Sequence, residues 1–197
     1  MKSFKLALPL AVLAAAAATT ALAAPQTYTF DPAHSFARFG YGHMGFSHQQ
    51  SQFDKVSGTL TYDAVAHTGS ADVSIDVDSV DTGSDQLNGH LKSSDFFDMA
   101  KYPTINFKST AVHFKGDKPV SLDGNLTVHG VTRPVTLTIT HFKHGVNMRK
   151  QDEIGADATT TIKRSDFGLS LFTPMVDDAV ILNVDFEAAA RAAPPAG

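Results

Sequence analysis

Nine histidines and no cysteine in a chain of 197 residues leave imidazole, carboxylate and hydroxyl groups as the only material for a metal site or a nucleophile. Thiol catalysis and thiolate metal sites are excluded at once. His43 and His48 stand five residues apart, and His141 and His144 three. On a strand both spacings send the two rings to opposite faces, so neither pair is a ready chelate unless a loop reshapes it. Asp31, His34 and Ser35 are the residue types of a nucleophilic triad. They lack the strand–turn–helix elbow that exposes such a serine, and adjacent strand residues point apart. Asp95 with Asp98, and Asp177 with Asp178, fall among turn residues, where carboxylates cap backbone amides or meet solvent. No glycine-rich phosphate loop occurs. These patterns point away from an enzyme, and no cofactor is expected.

What remains is apolar. The chain has fourteen phenylalanines and no tryptophan, and most of the phenylalanines fall between residues 30 and 186. The elements that would position them read as strands. Val73, Ile75 and Val77 alternate with Asp72, Ser74, Asp76 and Asp78, a period of two that no amphipathic helix gives. Val120, Leu122, Leu126 and Val128 repeat the theme, as do Val135, Leu137 and Ile139, and Val180, Leu182, Val184 and Phe186. Further strands are expected over residues 36–41, 53–62, 104–114 and 157–163. Turns are expected at Gly69, Gly83, Gly116-Asp117, Gly130 and Gly145, and Arg133-Pro134 is read as a passage from one strand to the next. One stretch departs from the pattern. Ser84 and Asp85 can cap a helix carrying Leu87 and Leu91 and continuing towards Phe96-Phe97. Strands with one apolar face require a second sheet or closure into a barrel, and periodicity does not choose between them.

Lys2 and Lys5, an apolar run to Ala18 and the small residues ahead of Ala24-Pro25 have the order of a cleavable signal peptide over residues 1–23. The apolar run is short of the ~20 residues that span a bilayer, so a permanent anchor is the weaker reading. Residues 24–187 then form one domain, followed by a frayed tail over 188–197. A formal net charge of −4, with lysine and arginine dispersed, offers no footprint for nucleic acid or an anionic membrane.

Several segments together resemble the YceI-like family of polyisoprenoid-binding, lipocalin-like periplasmic proteins. They are Asp31-Pro32-Ala33-His34-Ser35, His43-Met44-Gly45-Phe46-Ser47, Asp78-Ser79-Val80-Asp81-Thr82-Gly83 and His90-Leu91-Lys92-Ser93-Ser94-Asp95-Phe96-Phe97-Asp98. Tyr102-Pro103-Thr104-Ile105-Asn106-Phe107, Gly124 to Thr132, and Arg164-Ser165-Asp166-Phe167-Gly168 complete the set. The resemblance implies an all-β fold, an extended eight-stranded antiparallel lipocalin-like barrel with one short helical segment. Its apolar interior would hold an isoprenoid or similar long-chain amphiphile, in a protein secreted or periplasmic after cleavage near Ala23.

With that barrel as frame, Phe36, Phe39, Phe53, Phe107, Phe167 and Phe172 are expected to line the interior, with Phe96 and Phe97 near its mouth. His43 and His90 are candidates for polar contacts at the opening, or for hydrogen bonds that fasten a loop. Residues 31–35 are read as a structural turn. Two departures from the family bear on the ligand's head. Leu87-Asn88 stand where an Arg-Asp pair is usual, and Ser51 replaces a common glycine. A neutral head, as in a quinone or a fatty amide, is then as well accommodated as a pyrophosphate. The partner is a lipid, with no stable membrane insertion, and the protein is a monomer or a homodimer. Two other readings stay open: a histidine-dependent metal or haem-associated periplasmic protein, and a ligand-free structural or stress-protective module.

Overall fold

The structure is a computed structural model that describes residues 25–190. The expected signal peptide, and the tail beyond Ala190, lie outside the described residues. In chain order the strands are β1 (Gln26–Phe30), β2 (Phe36–His43), β3 (Ser47–Phe53), β4 (Val56–Asp63), β5 (Thr68–Asp76) and β6 (Val80–Asp81). The helix α1 (Asp85–Lys92) comes next, followed by β7 (Thr104–Lys115), β8 (Lys118–Val128), β9 (Val131–Val146), β10 (Asp152–Lys163) and β11 (Ala179–Ala190). All pairings are antiparallel, and β1 meets both β4 and β11, which closes a ring of eight strands.

The other three strands continue members of that ring. β11 pairs with β2 through residues 181–185 and with β1 through 188–190, so β1 and β2 are one stave interrupted at residues 31–35. In the same way β3 runs on into β4, and β5 into β6. The last two interruptions are bonded to each other: Asp54 N donates to Ser79 O, Lys55 N to Ser79 Oγ and Asp76 N to Lys55 O. Hence the strand expected over 53–62 and the alternating run from Asp72 to Asp78 are each broken. At the second break the Asp76 carboxylate accepts from Asp78 N at 2.9 Å and folds Val77–Ser79 into a 3-10 turn. An aspartate that offers the backbone a local acceptor competes with the ladder.

Three further expectations are corrected. Pro134 does not end a strand but lies within β9, opposite Asn125. Over residues 131–137 β9 pairs with β8 alone, and an edge tolerates a residue that cannot donate. The turn falls instead at His129 and Gly130, both in the left-handed region. Secondly, α1 starts as expected, with Ser84 Oγ accepting from Leu87 N at 3.4 Å, but it stops at Lys92. Ser93 turns extended, and Phe97 N returns to Leu91 O at 2.9 Å, so Phe96 and Phe97 sit on a turn. Thirdly, β11 continues through Ala188 to Ala190. Ala188 is fully buried, paired with Phe30 on one side and Ile154 on the other.

The inside of the barrel is divided along its length. At the end formed by the β4–β5, β7–β8 and β9–β10 turns it is filled. Phe30 stacks on Phe186 at 4.6 Å, and Tyr62 packs against Phe142 at 5.4 Å and His144 at 5.2 Å. Tyr28 donates its hydroxyl to Asp152 Oδ2 at 2.7 Å, and His144 Nε2 meets Asp152 Oδ1 at 2.8 Å. Burial and this carboxylate push the Tyr28 phenol well above its ordinary range. Tyr28 and Ile154 are each only 1% exposed, so this end is shut. No helix among the described residues is long and apolar enough to cross a membrane.

Candidate functional site

The opposite half of the barrel is hollow, with a cavity of about 290 Å³. None of the residues that seal the far end takes part in its wall. β2 contributes Phe39 and Tyr41, β3 Phe53, β7 Ile105 and Phe107, and β8 Leu126 and Val128; β9, β10 and β11 add Leu137, Ile162 and Leu182. Each strand sends alternate residues inward, which is why a two-residue period produces a continuous apolar wall. The roof comes from outside the ring. Leu87 and Leu91 of α1 face the cavity, and Phe97 meets Phe53 at 5.5 Å and Phe39 at 6.3 Å, both nearly edge-on.

The mouth opens between this roof and the loop 168–178. Phe96 lies 6.3 Å from Phe172 and 4.8 Å from the His90 ring. Around it Met44, Leu171, Phe172 and Met175 are exposed, and Phe46 at the β2–β3 turn is 90% exposed. Met44 N donates to Met175 O at 2.7 Å and Asp177 N to Gly42 O at 3.0 Å, so the hairpin and the loop form one rim.

Of the side chains singled out from sequence, Phe39, His43, Phe53, His90, Phe96, Phe97, Phe107, Phe167 and Phe172 all line this cavity. Neither the His43 nor the His90 ring makes a hydrogen bond among the described residues, so neither fastens a loop. Phe36 is the exception and is corrected. It faces outward, with the Arg38 guanidinium 5.2 Å from its ring, and borders a separate depression shared with His141, Gly155 and Glu187. Phe36 and Phe39 are three apart on one strand and cannot share a face.

Residues 31–35 form a local turn. Ala33 N donates to Asp31 Oδ1 at 2.9 Å, the His34 ring meets Asp31 Oδ2 at 3.0 Å, and the fully buried Ser35 directs its hydroxyl to Glu187 O. The serine and the histidine therefore have different partners. Asp31, His34 and Glu187 are the one group of three potential metal ligands within 4.8 Å of one another among the described residues, and they include a single imidazole. His144 points into the sealed end and His141 to the outer face, as their spacing requires. The Asp178 carboxyl is held below its ordinary range by hydrogen bonds from Ser165 N and Oγ, both at 2.8 Å, a capping role.

Tyr41 and Arg164 are among the lining residues that were not singled out in the sequence. Tyr41 shares the inward face of β2 with Phe39 and His43, and parity alone would have found it. Arg164 lies in a segment quoted for its resemblance but given no role. It is the one charged side chain buried among the described residues, and it too borders the cavity. Burial lowers its proton affinity, with Asp178 and Tyr41 acting in the opposite sense. Burial raises the Tyr41 phenol, and Arg164 partly offsets this.

A family model described as the YceI-like domain matches residues 28–188. A UPF0312 protein of Pseudomonas putida strain GB-1 is 34% identical over 151 residues, covering 76% of this chain and 78% of that one. The crystal structure of Burkholderia cenocepacia BcnA superposes with a TM-score of 0.70 at 27% identity, covering 80% of this chain and 98% of that one. A structure described as a polyisoprenoid binding domain from Saccharophagus degradans, implicated in plant cell wall breakdown, gives a TM-score of 0.65 at 19% identity. It covers 84% of this chain and 99% of that one, a likeness of fold.

Proposed function

This chain belongs to the YceI-like family, and from that premise we propose that it is a binding and carrier protein that holds a long-chain amphiphile, tail inward, in the hollow half of its barrel. The observation that carries this reading is the cavity of about 290 Å³, walled by phenylalanine and aliphatic side chains and open at one end. Isoprenoids are the first class to try, since the family resemblance implies them and the Saccharophagus degradans domain of the same fold is described as a binder of them. The His43 and His90 rings at the mouth leave nitrogen atoms available to a polar head. The leader-like residues 1–23 support export, which would place the protein in the periplasm or outside the cell. Binding without catalysis fits a lumen lined almost wholly by hydrocarbon.

Burial of the tail is the driving term. Each methylene removed from water contributes about 0.8 kcal/mol, or roughly a fourfold gain in affinity. A neutral hydrogen bond adds about 1 kcal/mol and so orients more than it binds. Native mass spectrometry and solvent extraction of protein purified without refolding test the reading. A discrete bound lipid, and an affinity that climbs along a chain-length series and then levels off, are expected. A folded protein that arrives empty and takes up no member of the series overturns it.

A further inference from the structure

Ten large apolar side chains are exposed among the described residues, and five of them stand on two short segments at the mouth of the barrel. Met44 and Phe46 lie on the β2–β3 hairpin, and Leu171, Phe172 and Met175 on the loop 168–178. Single exposed apolar residues are ordinary on a protein surface, whereas a contiguous group marks a contact. This group is held in place. The bridge between His43 and Val176 and the bond from Met44 N to Met175 O at 2.7 Å join the hairpin to the loop. Beneath them Arg164 donates to Leu169 O, Thr173 Oγ1, Val176 O and Asp177 O, which fastens the loop at four points. Met44 and Phe172 have φ of 54° and 63°, a region costly for a large side chain, at positions where burial returns nothing.

The charge around the rim points to its partner. Residues 42–48 and 168–178 contain no lysine or arginine. Of their two carboxylates, Asp178 is engaged by Ser165 and Asp177 packs over Gly42. On the adjoining roof Lys92 is paired with Asp78 at 2.8 Å, and Asp95 and Asp98 flank Phe96-Phe97. Such a face suits an uncharged interface rather than an anionic one, which draws on lysine and arginine. The face is also continuous with the lumen, because Phe172 lines the cavity and lies 6.3 Å from Phe96 of the roof. A protein seated there would close the mouth. A bilayer seated there would open the mouth onto hydrocarbon.

Resting on the carrier reading, we infer that this rim docks on the surface of a phospholipid bilayer without net charge, with Phe46 and Met175 entering the boundary between head groups and acyl chains. An apolar guest then passes between bilayer and lumen without crossing water. Attachment is reversible, since a few side chains fall far short of a membrane span. Removal of apolar surface from water drives it, so salt has little influence.

The chain contains no tryptophan, so one introduced at the rim is a sole reporter. Phe46→Trp is titrated with phosphatidylcholine vesicles, with and without brominated acyl chains. Met148→Trp, on the exposed β9–β10 turn at the sealed end, is the control. Neither residue lines the cavity, so binding in the lumen is read separately, by uptake of a fluorescent fatty acid from vesicle-free solution. A blue shift and quenching by bromine are expected at position 46 and not at position 148. In vesicle flotation Phe46→Ser should bind about tenfold more weakly than the wild type, with fatty-acid uptake and melting temperature unchanged. Four results overturn the inference: no quenching at position 46, quenching at position 148 instead, tighter binding to phosphatidylglycerol vesicles that salt abolishes, or a dimer in native mass spectrometry that Phe46→Ser dissolves while vesicles go unbound. Each leaves the carrier reading standing as long as the fatty acid is taken up. Absence of uptake by the wild type sinks the carrier reading, and this inference with it.

Discussion

The Phe107 ring packs against Gly124 on the neighbouring strand, so close that a methyl group on Gly124 would stand 2.4 Å from Phe107 Cζ. No ordinary contact is that short, so the glycine on β8 is what allows the aromatic ring of β7 to fold back on the wall and leave the lumen clear. Gly124→Ala is expected to push the ring into the cavity. The hollow interior gives the ring somewhere to go, but the methyl would also stand 2.7 Å from Lys108 O, so the β7 backbone must shift as well and a loss of about 3 kcal/mol is expected, read as a fall in melting temperature. The longest members of a lipid series should be lost first. Unchanged chain-length preference in a destabilised variant would show that Phe107 does not bound the occupied volume.

The outward placement of Phe36 makes a matched pair with Phe107. Phe107→Ser should abolish lipid retention in whatever fraction stays folded, and destabilise by about 3 kcal/mol or more through loss of a buried ring. Phe36→Ser removes a ring from the outer face and should leave retention at the wild-type level. Extraction and quantification of bound lipid from both variants decides the matter, and loss from the Phe36 variant would contradict the face assignment.

At the sealed end Tyr28→Phe deletes one hydroxyl and leaves the Asp152–His144 contact in place. Losing a hydrogen bond to a carboxylate is worth about 1.5–3 kcal/mol, less where water reaches the partner. A lower melting temperature with unaltered lipid binding is expected. A changed ligand profile would mean that the occupied space extends to that end.

The turn at residues 31–35 should respond to pH on both sides. Asp31 lies below its ordinary value of 3.8, chiefly through the hydrogen bond from His34, and His34 lies above its ordinary value of 6.5, chiefly through the same bond. A depressed carboxyl stabilises the fold above 3.8 and loses this as pH falls through its folded value. A raised imidazole stabilises below 6.5 and loses this as pH rises through its own. The pair therefore contributes fully between about pH 4 and 6.5 and fades in both directions. The effect should be small, because both groups meet solvent. Melting curves of the wild type and of His34→Ala from pH 3 to 8 should converge at the two extremes. Parallel curves would refute the coupling.

The strands were legible because solvent and lumen impose opposite demands on successive residues. Val73 and Ile75, and Val135 and Leu137, carry that signature openly, and they face the cavity. β3 was not legible, since Ser47 to Gln52 are all polar and its place is set by pairing with β2 rather than by burial. The breaks between β3 and β4 and between β5 and β6 are invisible to any local pattern, because each is stabilised by hydrogen bonds to the other across 24 residues of chain. Of the six side chains picked as lining, Phe39, Phe53, Phe107, Phe167 and Phe172 border the cavity, and Phe36 failed on a parity that the sequence itself contained. Arg164 was beyond reach for a different reason. A charged residue reads as surface, and its burial depends on three backbone carbonyls and a threonine hydroxyl that only the folded loop brings together.

The tyrosine–aspartate–histidine seal makes the barrel a cul-de-sac. A guest cannot be threaded through it, and must back out head first by the path along which it came in. If the barrel carries a guest as proposed, that traffic has no built-in direction, and net transfer would follow the guest's chemical potential at the two stops. An occupied vessel also bars its own refilling, so exchange proceeds one guest at a time.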